Sequence, residues 1–214
     1  MRHFELTDQT TTAPDGTTLY RVRALRDLPW HGVRAGDLGG YVAGTRNLLG
    51  NGWVADRGQV YGNGRVTGNG RVADNAGVCG DAWVYGNALM CGNAWASGYV
   101  EVRGDALVAG NALLFGNADV YGDADVSRRD HVLTISSASS EGTHATLFRT
   151  ADGGHHLNDG CWDGTTADLR TLADQDKWPS NCDEQTRERF RPVLVAVADL
   201  CDAHMSAYEW GGMS

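Results

Sequence analysis

The stretch HHLNDGCWDG, residues 155–164, brings His155, His156, Asp159, Cys161 and Asp163 together, with Cys182 and His204 further along the chain. Imidazole, carboxylate and thiolate groups are the ligands zinc prefers, and a thiol beside an imidazole is the pair that makes a cysteine nucleophile. The spacing speaks against both. His155 and His156 are adjacent and point to opposite sides of an extended chain, and Cys161 and Cys182 are too far apart for a ligand knuckle. The expectation is that these are ordinary surface or core side chains, with no metal, no cofactor and no catalytic residue among them. Five cysteines, an odd number without close pairs, do not make a disulfide framework, so reduced thiols are expected.

The elements that would position any such groups are set by glycine. Of 214 residues 29 are Gly, well above ordinary usage. In VYGNALMCGNAW, residues 84–95, Gly-Asn-Ala returns at the same phase in two consecutive blocks of six. Carried in both directions, that register gives fifteen hexads without insertion, beginning at Val42 and running through Val54, Val66, Val84, Met90, Val102 and Val120 to Val126. Fourteen of the fifteen first positions are Val, Leu or Met, twelve third positions are Gly, and twelve fifth positions are Gly or Ala. In an extended strand the aliphatic first position and the small fifth position point the same way, which here must be inward. Gly at position three and Asn or Asp at position four suit a corner that needs positive φ. Each hexad therefore reads as one short strand plus one corner of a stacked architecture.

This V-x-G-N-A-x rhythm resembles the hexapeptide repeats of left-handed parallel β-helices. The resemblance implies the handedness and a triangular coil of three hexads, hence about five coils. LYRVRALRDLPWHGVRAGDLGGYV, residues 19–42, resembles the opening segment of phage and prophage proteins of this type, and GTHATLFRTADGGHHLNDGCWDGTTADLR, residues 142–170, their small C-terminal domain. The expected architecture is an all-β solenoid in three parts: a capping segment over 1–41, the β-helix over 42–131, and a small acidic α+β domain over 132–214. Within that domain HVLTISS and ATLFRT read as strands, and TTADLRTLAD reads as a helix capped by Thr165 or Thr166. Pro192 suits the start of a final helix whose buried stripe is Leu194, Val197, Cys201, Met205 and Tyr208.

Acyltransferases of this fold use a histidine base on the solenoid beside a subunit groove, often with a loop extruded from one coil. Histidine occurs here at 3, 31, 131, 144, 155, 156 and 204, so the hexads contain none before the last residue of the fifteenth, and no loop interrupts them. A general base must reach the proton it takes, and the body of the solenoid offers none. No catalytic residue is therefore assigned.

Outward positions repeat every 18 residues and group into three walls. The first carries Trp53, Leu89, Cys91, Leu107 and Ala109, an apolar row suited to a subunit contact. Identical solenoids side by side close by rotational symmetry, so a homo-oligomer is expected, a trimer or dimer, and the resemblance favours the trimer. The second carries Tyr41, Tyr61, Trp95, Leu113 and Phe115. The third sets Trp83, Tyr85, Arg103 and Tyr121 among further charges, and these residue types are enriched in binding hot spots.

Net charge is -9, and residues 132–214 hold thirteen Asp and Glu against six Lys and Arg. That balance disfavours broad nucleic-acid binding or an anionic membrane surface. No signal peptide or membrane span is visible, so the expected compartment is the cytoplasm, that of the host for a phage product. The resulting expectation is a non-catalytic phage-type protein that captures a host protein or a small nucleotide and counters bacterial defence. A hexapeptide-repeat acyltransferase and a structural phage scaffold are the alternatives.

Overall fold

The computed structural model describes residues 2–136, 143–160, 162–176, 178 and 183–210. The chain forms two compact units, residues 1–129 and 130–214.

In the first unit two-residue strands recur at the six-residue step, among them Trp53–Val54, Arg65–Val66, Trp83–Val84 and Leu89–Met90. Each pairs in parallel with the strand one full turn later, so Trp53 faces Arg71, Arg65 faces Trp83, and Trp83 faces Glu101. Three strands, one in each of three sheets, make a turn, and the whole is a β-solenoid of about five turns. Alternation along a strand drives the packing: in Trp83-Val84-Tyr85 the middle side chain points in and its neighbours point out. Val54, Val60, Val66, Val72, Val78, Val84, Met90 and Val102 are all 0% exposed, and fifth-position alanines such as Ala82 and Ala88 fill the space beside them.

The corners differ from expectation in one respect. Positive φ falls on position three, at Gly62, Gly68, Gly86, Gly92 and their equivalents, and on Asp56 and Asp74, where φ is 53° and 55°. The position-four asparagines are not left-handed. They stack as amide ladders instead: Asn51 donates to Asn69 at 3.2 Å, Asn69 to Asn87 at 3.1 Å and Asn87 to Asp105 at 2.9 Å. A second row runs Asn75, Asn93, Asn111, with both bonds 3.2 Å. An amide carries both donors and an acceptor, so it repeats without end along a stack whose rungs are about 4.8 Å apart.

The N-terminal segment is more than a cap. Strands Phe4–Thr12, Thr18–Ala24 and Leu38–Val42 pair antiparallel, and the last joins Gln59–Val60 in parallel, extending one solenoid sheet to seven strands. The same segment lies over side chains that the sequence places on open walls. Gly39 sits so close to the Trp53 indole that an added Cβ would lie 2.7 Å from it, and Trp53 is 1% exposed. Tyr61 and Cys79 are buried with Ala13 and Leu19.

Two buried histidines fasten this segment to the first turn. His3 Nε2 and His31 Nε2 hydrogen-bond the carbonyls of Gly52 and Asn51, each at 2.8 Å. Burial, reinforced by Arg26 for His3 and by Arg71 for His31, holds both below the ordinary histidine value of 6.5 against the opposing pull of those carbonyls. A base depressed in the folded state takes up protons more readily when unfolded, so the unfolded chain gains protons first as pH falls below about 6.5. The stability of the neutral pair is present above that pH and is lost as pH falls toward the folded-state values. The urea midpoint is expected to drop between pH 7.5 and 5.5, and His3→Asn with His31→Asn to flatten that dependence. A midpoint independent of pH in wild type would contradict this assignment.

The second unit packs two helices with a four-stranded antiparallel sheet, Val132–Ser136, His144–Arg149, His155–Asp159 and Trp162–Gly164. Helix α1, Thr166–Asp174, is capped by Thr165, whose hydroxyl accepts from the Asp168 amide while the Asp168 carboxylate accepts from the Thr165 amide. Helix α2 spans Glu184–Ala207 and starts at Asp183, whose carboxylate accepts from the Thr186 amide at 2.7 Å. Pro192 thus lies inside α2 and does not open it: the proline ring forfeits one backbone bond, while the Asp183 cap sets the start. Leu194, Val197 and Cys201 are buried with Leu147, Leu157 and Leu169. Tyr208, expected to complete that stripe, is half exposed at the helix end. Among the described residues no helix is long and apolar enough to cross a membrane.

Candidate functional site

The third wall is built by strands Arg65–Val66, Trp83–Val84, Glu101–Val102 and Asp119–Val120, in parallel register. Each inward valine forces the residues on either side outward, giving one column of Arg65, Trp83, Glu101 and Asp119 and another of Tyr85, Arg103 and Tyr121. Strand spacing puts successive members within reach of each other.

They form one connected set. The Arg65 guanidinium lies over the Trp83 ring at 5.1 Å, and Trp83 meets Tyr85 edge to face at 6.4 Å. The Tyr85 hydroxyl donates to Glu101 Oε2 at 2.6 Å. Arg103 donates through Nε and Nη2 to both oxygens of Asp119, at 3.0 and 2.8 Å, and stacks on Tyr121 at 4.1 Å. Burial, then the bond to Glu101, pushes the Tyr85 phenol well above its ordinary value, so it keeps its proton and acts as donor. The bonds that Arg103 donates to Asp119 push its own proton affinity up as well. Every long side chain in the set is held by a neighbour, which lowers the entropy lost when a partner docks.

A shallow groove of ≈ 430 Å³ runs beside this set, lined by Asn63, Arg65, Asp81, Trp83, Tyr99 and Glu101. Trp83 is 40% and Tyr99 68% exposed, so two aromatic faces meet solvent. Of the four residues assigned to binding from sequence, Trp83 lines the groove, while Tyr85, Arg103 and Tyr121 brace the wall next to it. Tyr99 was missed by reading walls alone because it sits on a corner. Its signal was in the repeat: it is the one aromatic at position four, where most hexads have Asn or Asp.

The residues assigned to a subunit contact share one sheet, with Leu89 facing Leu107 across adjacent strands. Leu89, Cys91, Leu107 and Ala109 are half-buried within the single chain. Trp53 departs from this reading: its indole is already covered by Gly39 of its own chain and has no face left for a second one. Burial raises the Cys91 thiol, with Asp74 adding to the effect.

The tail histidines are engaged separately. His155 Nε2 accepts from the Thr166 amide at 3.1 Å, and burial lowers its proton affinity. His156 lies 3.4 Å from Asp163 and packs on Phe148, and His204 reaches the Asp130 carbonyl at 2.8 Å. Asp159 is buried with Oδ1 lacking a hydrogen-bond partner. Cys201 is buried and its thiol is pushed up to about 12, the opposite of what a nucleophile needs. Cys161 and Cys182 lie outside the described residues. Among the described residues no three His, Cys, Asp or Glu side chains are grouped so as to hold a metal ion. No family model matches the chain, and the search of curated proteins finds no match.

Proposed function

We propose that the chain is a non-catalytic binding protein whose third wall captures a polypeptide partner. The observation that carries this is the braced set from Arg65 to Tyr121 beside a groove in which Trp83 and Tyr99 stand exposed. Charge selects the occupant. Asp81, Glu101 and Asp119 outnumber Arg65 and Arg103, and Arg103 is already matched by Asp119. A nucleotide polyphosphate would meet a net negative lining, whereas a peptide with a Lys or Arg side chain over Trp83 would gain from ring and carboxylate together. In the same reading the solenoid winds left-handed and works as a phage product against host defence. Both points rest on the resemblance of the hexads and of residues 19–42 and 142–170.

The test is a comparison of partner recovery from phage-infected cells by wild type, Trp83→Ala and Tyr99→Ala. A protein bound by wild type is expected to lose at least tenfold in affinity with either variant, as for hot-spot aromatics worth about 2 kcal/mol or more, at unchanged melting temperature. Equal recovery by all three would end the assignment.

The proposal includes self-association through Leu89, Cys91, Leu107 and Ala109 as a trimer or dimer. Leu107→Arg would put a charge at the centre of that row, where desolvation without a counter-ion costs several kcal/mol. Analytical ultracentrifugation is expected to show an oligomer for wild type and a monomer for the variant. A wild-type monomer would refute it.

A further inference from the structure

At the first-turn end of the first unit, where Leu48 bridges Val66 at the edge of the third wall, a groove of ≈ 590 Å³ is lined by Arg2, His3, Thr45, Arg46, Leu48 and Leu49. In a chain of net charge -9 its lining contains no carboxylate. Arg2 and Arg46 are exposed, and among the described residues neither has a carboxylate partner. Arg46 makes only a long bond, 3.4 Å, from Nη2 to the Gly62 carbonyl, which leaves most of its guanidinium donors free. A third guanidinium, Arg26, stands close by, held by Asn51 at 2.7 Å.

Burial lowers the proton affinity of His3 in the groove lining, and Arg26 adds to it against the bond to the Gly52 carbonyl. The charged lining of the groove is cationic, Arg2 and Arg46. Apolar surface adjoins it: Leu49 is 43% exposed beside the buried Leu48. Free guanidinium forks match the oxygens of phosphate and carboxylate, and the volume falls in the range of roughly 300–1,000 Å³ usual for small-molecule sites.

We infer that this groove binds a small organic anion, with a phosphate or carboxylate head on Arg2 and Arg46 and an apolar body against Leu49. The site adjoins the partner-binding wall at its first turn but shares no lining residue with the groove at Trp83. It gives a chain of acidic composition one place with the charge and size to hold such a molecule, without the phosphate-cradling loops that sequence motifs would reveal.

The experiment is calorimetric titration of the full chain at low ionic strength with adenosine 5′-monophosphate, benzoate, inorganic phosphate and, as the neutral control, adenosine. Saturable binding of the monophosphate or of benzoate is expected, with whichever binds assigning the head group. Adenosine is expected not to saturate, and inorganic phosphate to bind at least tenfold more weakly than the organic anion. Arg46→Glu and Arg2→Glu, both exposed positions, are each expected to weaken binding at least tenfold with an unchanged melting temperature. Trp83→Ala is expected to bind like wild type. The inference fails if no anion saturates, if adenosine binds as well as the monophosphate, if inorganic phosphate binds as tightly as the organic anion, or if neither arginine variant weakens binding. Loss of binding in Trp83→Ala would move the site to the groove at Trp83 and overturn it as well.

Discussion

Val84→Asp is expected to abolish cooperative folding of the solenoid, while Trp83→Ala, one residue away, leaves the melting curve nearly unchanged. Val84 is 0% exposed and stands between Val66 and Val102 on the strands to either side. An aspartate there loses about 2 kcal/mol of apolar burial. It must also desolvate a carboxyl group with no partner, for a total of at least about 4 kcal/mol. The interior column that would receive it is Val, Met, Leu and Ala, with nothing to donate a hydrogen bond. Because each turn of such a stack contacts chiefly its neighbours, a defect in the middle leaves two short pieces, neither with enough turns to bury its ends. Trp83 points the other way and is 40% exposed, so its truncation removes a binding surface rather than a core. The measurement is circular dichroism melting of both variants. A Val84→Asp protein that melts like wild type would show that the first-position side chains do not fill the interior.

That asymmetry between neighbours explains how far the sequence could be read. Inward and outward positions were legible because one residue type repeats at a fixed step, and the repeat fixed which outward side chains share a wall: Trp83, Glu101 and Asp119 do pair strand to strand. What six-residue spacing could not convey was anything outside the repeat that folds back on it. The covering of Trp53 depends on Gly39, whose missing Cβ has meaning only once the indole is seen against it. The position-four asparagines were misread for a related reason. Asn tolerates positive φ and also forms amide ladders, and only the 18-residue stacking shows that the second property is the one in use. The groove by Arg2 and Arg46 was invisible because its lining joins residues from the two ends of the first 50 positions. In the tail cluster, whose spacing already spoke against a shared metal or nucleophile, His155, His156 and His204 each serve a different local bond.

Gly86→Ala is expected to destabilise the solenoid by about 3 kcal/mol or more, whereas Gly122→Ala costs only about 1 kcal/mol, although the two glycines occupy the same position of the repeat. Both have positive φ, 70° and 65°, so both variants incur the strain of an L-residue in the left-handed region, roughly 1–2 kcal/mol at most. The difference lies in what the new methyl group meets. At Gly86 it would stand 2.9 Å from the Gly104 amide nitrogen and 3.0 Å from the Gly104 carbonyl oxygen, backbone atoms of the next turn, while at Gly122 nothing lies within 4 Å. Those Gly104 atoms cannot step aside, because the Gly104 carbonyl accepts the Asn87 amide at 2.8 Å and belongs to the ladder that sets the stacking distance. Relief therefore requires opening the gap between turns, which weakens parallel hydrogen bonds on both sides of the corner. The consequence reaches the binding wall. Gly86 follows Tyr85 directly, so a displaced corner shifts Tyr85 relative to Glu101, whose 2.6 Å bond links two turns. Gly86→Ala should thus lower the melting temperature and partner affinity together, while Gly122→Ala lowers neither by much. Denaturant titration of the two variants decides the matter, and equal losses would mean that backbone strain alone, and not contact between turns, makes position three glycine.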